Sequence, residues 1–78
     1  MAGIKSPISQ SNTRTTLVDQ VDANTTYIGI GKMGEATSSP VWQIRKMLTS
    51  GTVTAIKYAN GTDAYNQIWD NRGSFSYS

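Results

Sequence analysis

The aromatic residues of this chain crowd into its second half. Between Val41 and Ser78 lie both tryptophans, three of the four tyrosines and the only phenylalanine. Aromatic side chains bury the largest apolar areas, so any core must be built from that half. With 78 residues the chain accommodates one domain, and at this size roughly 60% of the unfolded surface becomes buried. Cysteine and histidine are both absent, which removes disulfides, thiolate nucleophiles and the ordinary zinc ligands. Small folds without such staples lean on partner chains. Association is the expectation.

Charge narrows the partners. The net charge is +2 and charged residues make up only 15% of the chain, whereas a dedicated nucleic-acid binder shows a clustered basic face. Arg45-Lys46 is an adjacent basic pair, and in a strand its side chains point to opposite faces. No apolar run approaches the ~18 residues of a membrane span, and no charged-then-apolar leader opens the sequence. The expectation is a soluble protein with neither nucleic acid nor membrane as partner.

The first residues, 1–12 (MAGIKSPISQSN), hold Pro7 and scattered serines without an apolar period. They read as an extended arm reaching about 40 Å at ~3.3 Å per residue, or as a disordered terminus. A single domain over 13–78 follows. Threonines favour a strand over Thr13 to Gln20, Asp22-Ala23-Asn24 signals a turn, and Thr25 to Met33 resumes strand character, completing a hairpin. Gly34 to Pro40 is a loop, since Pro40 disfavours the α conformation at Ser39. Val41 to Leu48 alternates, with Trp42, Ile44 and Leu48 opposite Gln43 and Arg45; a helix also fits these residues, but period two fits better. Val53 to Ala59 is the clearest strand, followed by the Asn60-Gly61 turn signal. Tyr65, Ile68 and Trp69 then share one helical face, predicting a short helical turn over Asp63 to Asp70. Gly73 suits a left-handed cap. Phe75 and Tyr77 alternate with serines, predicting a terminal strand that pairs back into the sheet.

Several motifs invite a chemistry they do not support. Gly29 to Gly34 spells G-x-G-x-x-G, but a dinucleotide site needs the loop to enter a helix within a βαβ unit, and Pro40 follows six residues on. Close strand contact or a bulge explains those glycines better. Asp19, Asp22, Glu35, Asp63 and Asp70 are the only acids; turn capping and solvation account for them more readily than a glycosidase pair or a calcium loop. Asn24-Thr25-Thr26 and Asn60-Gly61-Thr62 match the glycosylation rule as turn composition. No catalytic residue, metal ligand or cofactor site emerges. Ile28, Trp42, Ile44, Leu48, Val53, Ile56, Ile68 and Phe75 are the expected core. Tyr58, Tyr65, Asn66, Trp69, Asn71, Arg72 and Tyr77 are candidates for a subunit interface or a sugar-stacking platform.

The segments Tyr27-Ile28-Gly29, Thr37-Ser38-Ser39, Trp42-Gln43-Ile44-Arg45, Asn60-Gly61 and Trp69-Asp70-Asn71-Arg72, with the Ser76-Tyr77-Ser78 close, carry a resemblance. Over about residues 25–78 the chain resembles small virion-associated proteins of tailed bacteriophages. Trp-Asp-Asn-Arg is the most specific part, and Gly73 departs from the alanine often found in that family. The resemblance implies a structural or adhesive virion component without catalysis: a tail, fibre or adaptor-associated protein, or a capsid decoration protein. Its expected partners are other virion proteins and copies of itself; a carbohydrate-binding module for host surface glycan is the reading from another class. The expected fold is all-β, a small antiparallel sandwich or barrel of five to six strands with one short helical turn.

Overall fold

Alternation of β-branched and aromatic residues with polar ones organises the chain into strands, and tight turns set their order. A computed structural model describes residues 14–78; the expected arm over 1–12 lies outside them. The strands are β1 (Arg14–Asp22), β2 (Thr25–Lys32), β3 (Pro40–Ser50), β4 (Val53–Tyr58) and β5 (Gln67–Ile68), followed by a 3-10 helix over Trp69–Ser74. The fold is mostly β, as expected. Its five strands form one antiparallel sheet in the order β1-β2-β3-β4, with β5 joining β3.

Two features of β3 shape the whole. One of its edges pairs with β2 along Gln43 to Leu48. The other is shared: β4 takes Arg45 to Ser50, while β5 takes Pro40 and Trp42. The chain leaving β4 therefore has to double back across the β3 edge. Asn60-Gly61 makes that reversal, with φ of 54° and 68°, values that asparagine and glycine tolerate best. Past the turn, the segment 62–66 lies on one face of the sheet and Trp69 to Tyr77 on the other.

This crossing relocates the helical turn. It forms over Trp69–Ser74, not over Asp63 to Asp70, because Gln67-Ile68 pairs as a strand and sends Tyr65 and Trp69 to opposite faces. Ladder bonds outcompete a helix too short to nucleate alone. The 3-10 turn is held by its own polar side chains: Arg72 Nη1 donates to Trp69 O at 3.2 Å and Ser74 Oγ to Asn71 O at 2.8 Å. Gly73 has no positive φ, so it supplies no left-handed cap. The terminal strand reduces to a bridge between Ala59 and Tyr77, flanked by Tyr58 N to Ser78 O at 2.9 Å and Asn60 N to Ser76 O at 2.6 Å.

The core lies under Trp69 to Tyr77. Cross-strand register aligns Gly29 with Ile44, and one pleat further Gly31 comes level with Trp42. A Cβ at Gly29 would strike the Trp69 ring and one at Gly31 would meet Trp42 Cε3 at 2.8 Å. The glycines thus leave a trough for two indoles, whose rings are 6.5 Å apart at 47°. Trp42, Ile44, Ala59 and Trp69 are buried, with Leu17, Tyr27, Val41, Phe75 and Tyr77 packed around them. Trp42 Nε1 donates to Ala36 O at 3.0 Å, which ties down the 34–39 loop and satisfies the buried indole.

Five expected core residues lie outside the core. Ile28 and Ile68 are half-buried and do not join the cluster, Ile28 because it sits on the face opposite Gly29 and Ile44. Three more are largely open. Leu48, Val53 and Ile56 are 39%, 67% and 53% exposed. They occupy the hairpin end of the sheet, beyond the covering segment. Their alternation marks the face they belong to, not whether anything lies over it.

Candidate functional site

Two polar and aromatic clusters sit on opposite faces of the sheet. On the covered face, Asp19 in β1 accepts from Arg72 Nε and Nη2 at 3.0 and 2.9 Å. The same guanidinium lies over the Trp69 ring, 4.5 Å from its centroid, a cation–π contact that suits arginine. Tyr77 Oη donates to Arg72 O at 2.6 Å. The Tyr77 ring is 5.7 Å from that of Tyr27, and Lys46 Nζ lies 5.5 and 5.8 Å from the two centroids. Burial, reinforced by Tyr27 and opposed by Arg72, pushes the Tyr77 phenol up to about 12. A shallow depression beside this cluster is lined by Asp19, Val21, Tyr27, Asp70, Arg72 and Gly73.

On the opposite face the crossing segment is fastened by amides. Gln43 Nε2 donates to Asp63 O at 2.7 Å, and Gln43 Oε1 accepts from Arg45 Nε and Nη2. Asn60 Nδ2 donates to Gln67 Oε1, and Gln67 Nε2 to Asn66 Oδ1. Gln43 and Gln67 are buried, and among the described residues every buried side-chain polar atom has a partner. Such a satisfied network fixes one path for the segment. Arg45 stacks over Tyr58 at 5.4 Å and Arg14 over Tyr65 at 4.7 Å. Arg14, Lys32, Glu35, Val41 and Tyr65 line a cleft of about 220 Å³.

The candidate platform residues are therefore divided. Trp69, Arg72 and Tyr77 meet on the covered face, whereas Tyr58 and Tyr65 belong to the other. Asn66 is engaged with Gln67, and Asn71 is exposed beside Arg72. Trp69 is only 7% exposed, with the Gly29 trough beneath it and Arg72 against its ring, so no indole face is open for a sugar to stack on. Among the described residues no group of three or more acidic side chains could hold a metal ion.

Sequence reasoning missed the surface that stands out in space. At the hairpin end, both faces of the sheet carry uncovered apolar side chains. Val21, Leu48 and Val53 lie on the same face as the core, beyond its covering segment; Ile56 lies on the other, where Val18 is also exposed midway along β1, level with Ile28 and Arg45. Val18, Val21 and Val53 are 66%, 53% and 67% exposed. Polar spacing along each strand hides this patch, because its members come from three strands. The available signal was the shortness of the covering segment after Asn60. No family model matches the chain, and no curated protein or solved structure matches it either.

Proposed function

We propose that this protein is a non-catalytic assembly component of a tailed-phage virion, a tail, fibre or adaptor-associated subunit that docks onto neighbouring chains. One observation supports the docking most directly: the hairpin end exposes apolar residues on both faces of a single sheet. Large apolar side chains left uncovered together at one end of a sheet suit an interaction site better than idle surface. The tailed-phage setting rests on the resemblance carried by Trp69-Asp70-Asn71-Arg72 and its companion segments. The covered-face cluster adds nothing catalytic to this reading, since Asp19 and Arg72 neutralise each other and Tyr77 holds its proton to high pH.

Mass spectrometry of density-gradient-purified phage particles tests the proposal. The chain is expected at a fixed stoichiometry to a known tail or capsid protein, and its absence from intact particles overturns the reading. Antibody-gold labelling then separates the sites: label on the tail or fibres supports the primary assignment, and label across the shell makes it a capsid decoration protein.

A further inference from the structure

The sheet has two lateral edges, and they are finished differently. The outer edge of β4 is covered at one end, where Tyr58 exchanges backbone hydrogen bonds with Ser78 and Asn60 donates to Ser76; its open remainder carries Lys57. β1 is the opposite edge, and among the described residues no strand pairs with its outer side. Natural edges are guarded with proline, lysine, bulges or inward charges. β1 runs nine residues, RTTLVDQVD, without proline or lysine. Its one inward charge, Asp19, is neutralised by Arg72, and its bulge lies at the far end, between Gln20 and Asp22.

We infer that β1 pairs antiparallel with β1 of a second copy about a two-fold axis perpendicular to the sheet, with Val18 at the axis. Such an axis keeps like faces together, so paired residue numbers must sum to an even value. A sum of 38 sets Val18 against Gln20 of the partner subunit and leaves the exposed valine without an apolar partner. A sum of 36 centres the pairing on Val18. Thr16 then faces Gln20 of the partner subunit and the exposed Val18 faces its own copy, an apolar pair directly opposite. Beyond Gln20 the bulge turns Asp22 to the core face, so the paired stretch is residues 16–20. A sum of 34 sets Val18 against Thr16 of the partner subunit and leaves the valine pair unmade. The contact is isologous, and Lys57 guards the part of the β4 edge that the C-terminal residues leave open. The product is a closed dimer with one continuous sheet. The inference deepens the assembly reading by naming a partner and a register, and its tests separate the two.

The chain has no cysteine, so one introduced thiol reports the register. Across an antiparallel pair directly opposite Cα atoms lie about 4.5–5.5 Å apart, within disulfide reach. In the full chain treated with diamide, Val18→Cys is expected to cross-link to a dimer. Gln20→Cys, displaced from its own copy by four residues or ~13 Å along the strand, is expected not to. Val18→Lys places two ammonium groups on the axis. It is expected to weaken dimerisation at least tenfold by analytical ultracentrifugation while the circular dichroism spectrum stays unchanged, because Val18 is 66% exposed in the single chain.

A monomer at all accessible concentrations, or equal cross-linking of both cysteine variants, overturns the pairing. So does a dimer indifferent to Val18→Lys but lost when residues 1–12 are removed, which would assign the edge to that segment of a neighbour. A Val18-centred dimer absent from virions retains the pairing and overturns the phage reading. A monomer found in virions does the reverse.

Discussion

The two ends of the sheet use the same strands to opposite effect. At the Trp42 end, glycines on β2 make room for indoles on two other segments, and Trp69 to Tyr77 closes over them. At the hairpin end the same alternation continues through Leu48, Ala55 and Val53, with none of the described residues lying above. The difference lies in the reach of the covering chain. The polypeptide turns back at Asn60, and only the segment behind that turn returns to cover a face. The closed end is finished by its own chain, and the hairpin end is left bare by the described residues.

This contrast predicts a steep gradient in mutational cost. Trp42→Ala removes the largest fully buried side chain at the closed end, 1% exposed, and breaks the tether from its indole to Ala36. The expected loss is about 3–5 kcal/mol in a urea titration. A loss below about 1 kcal/mol would erase the distinction between the two ends.

Gly29→Ala tests the trough itself. Its Cβ would press on Trp69, with Cζ3 at 2.7 Å, and a rigid ring under Arg72 gives way poorly. The expected cost is about 1–3 kcal/mol. Trp69→Phe in the same chain should recover part of that cost, since the smaller ring frees the contact. If Gly29→Ala costs as much in the Trp69→Phe background as it does alone, close approach is not the reason for the glycine.

Much of this was readable from the residues, and the failures have one cause. Strands β1 to β4, the Asn60-Gly61 turn and the buried pair Trp42 and Ile44 follow from alternation and turn chemistry, which are local. The helical turn was misplaced because Tyr65, Ile68 and Trp69 have helical spacing, while pairing with Pro40 and Trp42, more than twenty residues earlier, decides their conformation. The same blindness made Leu48, Val53 and Ile56 look like core. The Asp19–Arg72 pair and the Gln43 network join residues far apart in sequence, and no short motif announces them. As for the candidate platform, its members were right in kind but split by the sheet between two faces.

Tyr77→Phe probes the seam where the closing segment meets β2. The variant loses the hydrogen bond to Arg72 O, costing about 1 kcal/mol, and it changes the alkaline limb. The native phenol is pushed up to about 12 from 10.0, so above pH 10 the unfolded chain releases a proton that the folded chain retains. Stability present below pH 10 is therefore lost as pH rises towards 12. Lys46, Tyr27 and Arg72 face the phenol in both pH regimes, so Tyr77→Phe isolates its share. The variant should show a flatter decline in melting temperature between pH 10 and 12; an identical decline would mean that Tyr77 is freely solvated.

The smallest effect on stability should come from the open end, and it carries the most information about assembly. Val53→Ser removes an isopropyl group that is 67% exposed, so the single chain should change by no more than about 0.5 kcal/mol. A residue that contributes nothing to its own fold is free to contribute to another. The proposed docking through this end predicts that the same substitution reduces incorporation into particles when the variant competes with wild type during infection. Docking would cover the apolar end, and serine would leave a hydroxyl to desolvate. A substantial loss of intrinsic stability would show that the hairpin end is closed by the chain's own packing, and equal incorporation would remove it from the docking surface.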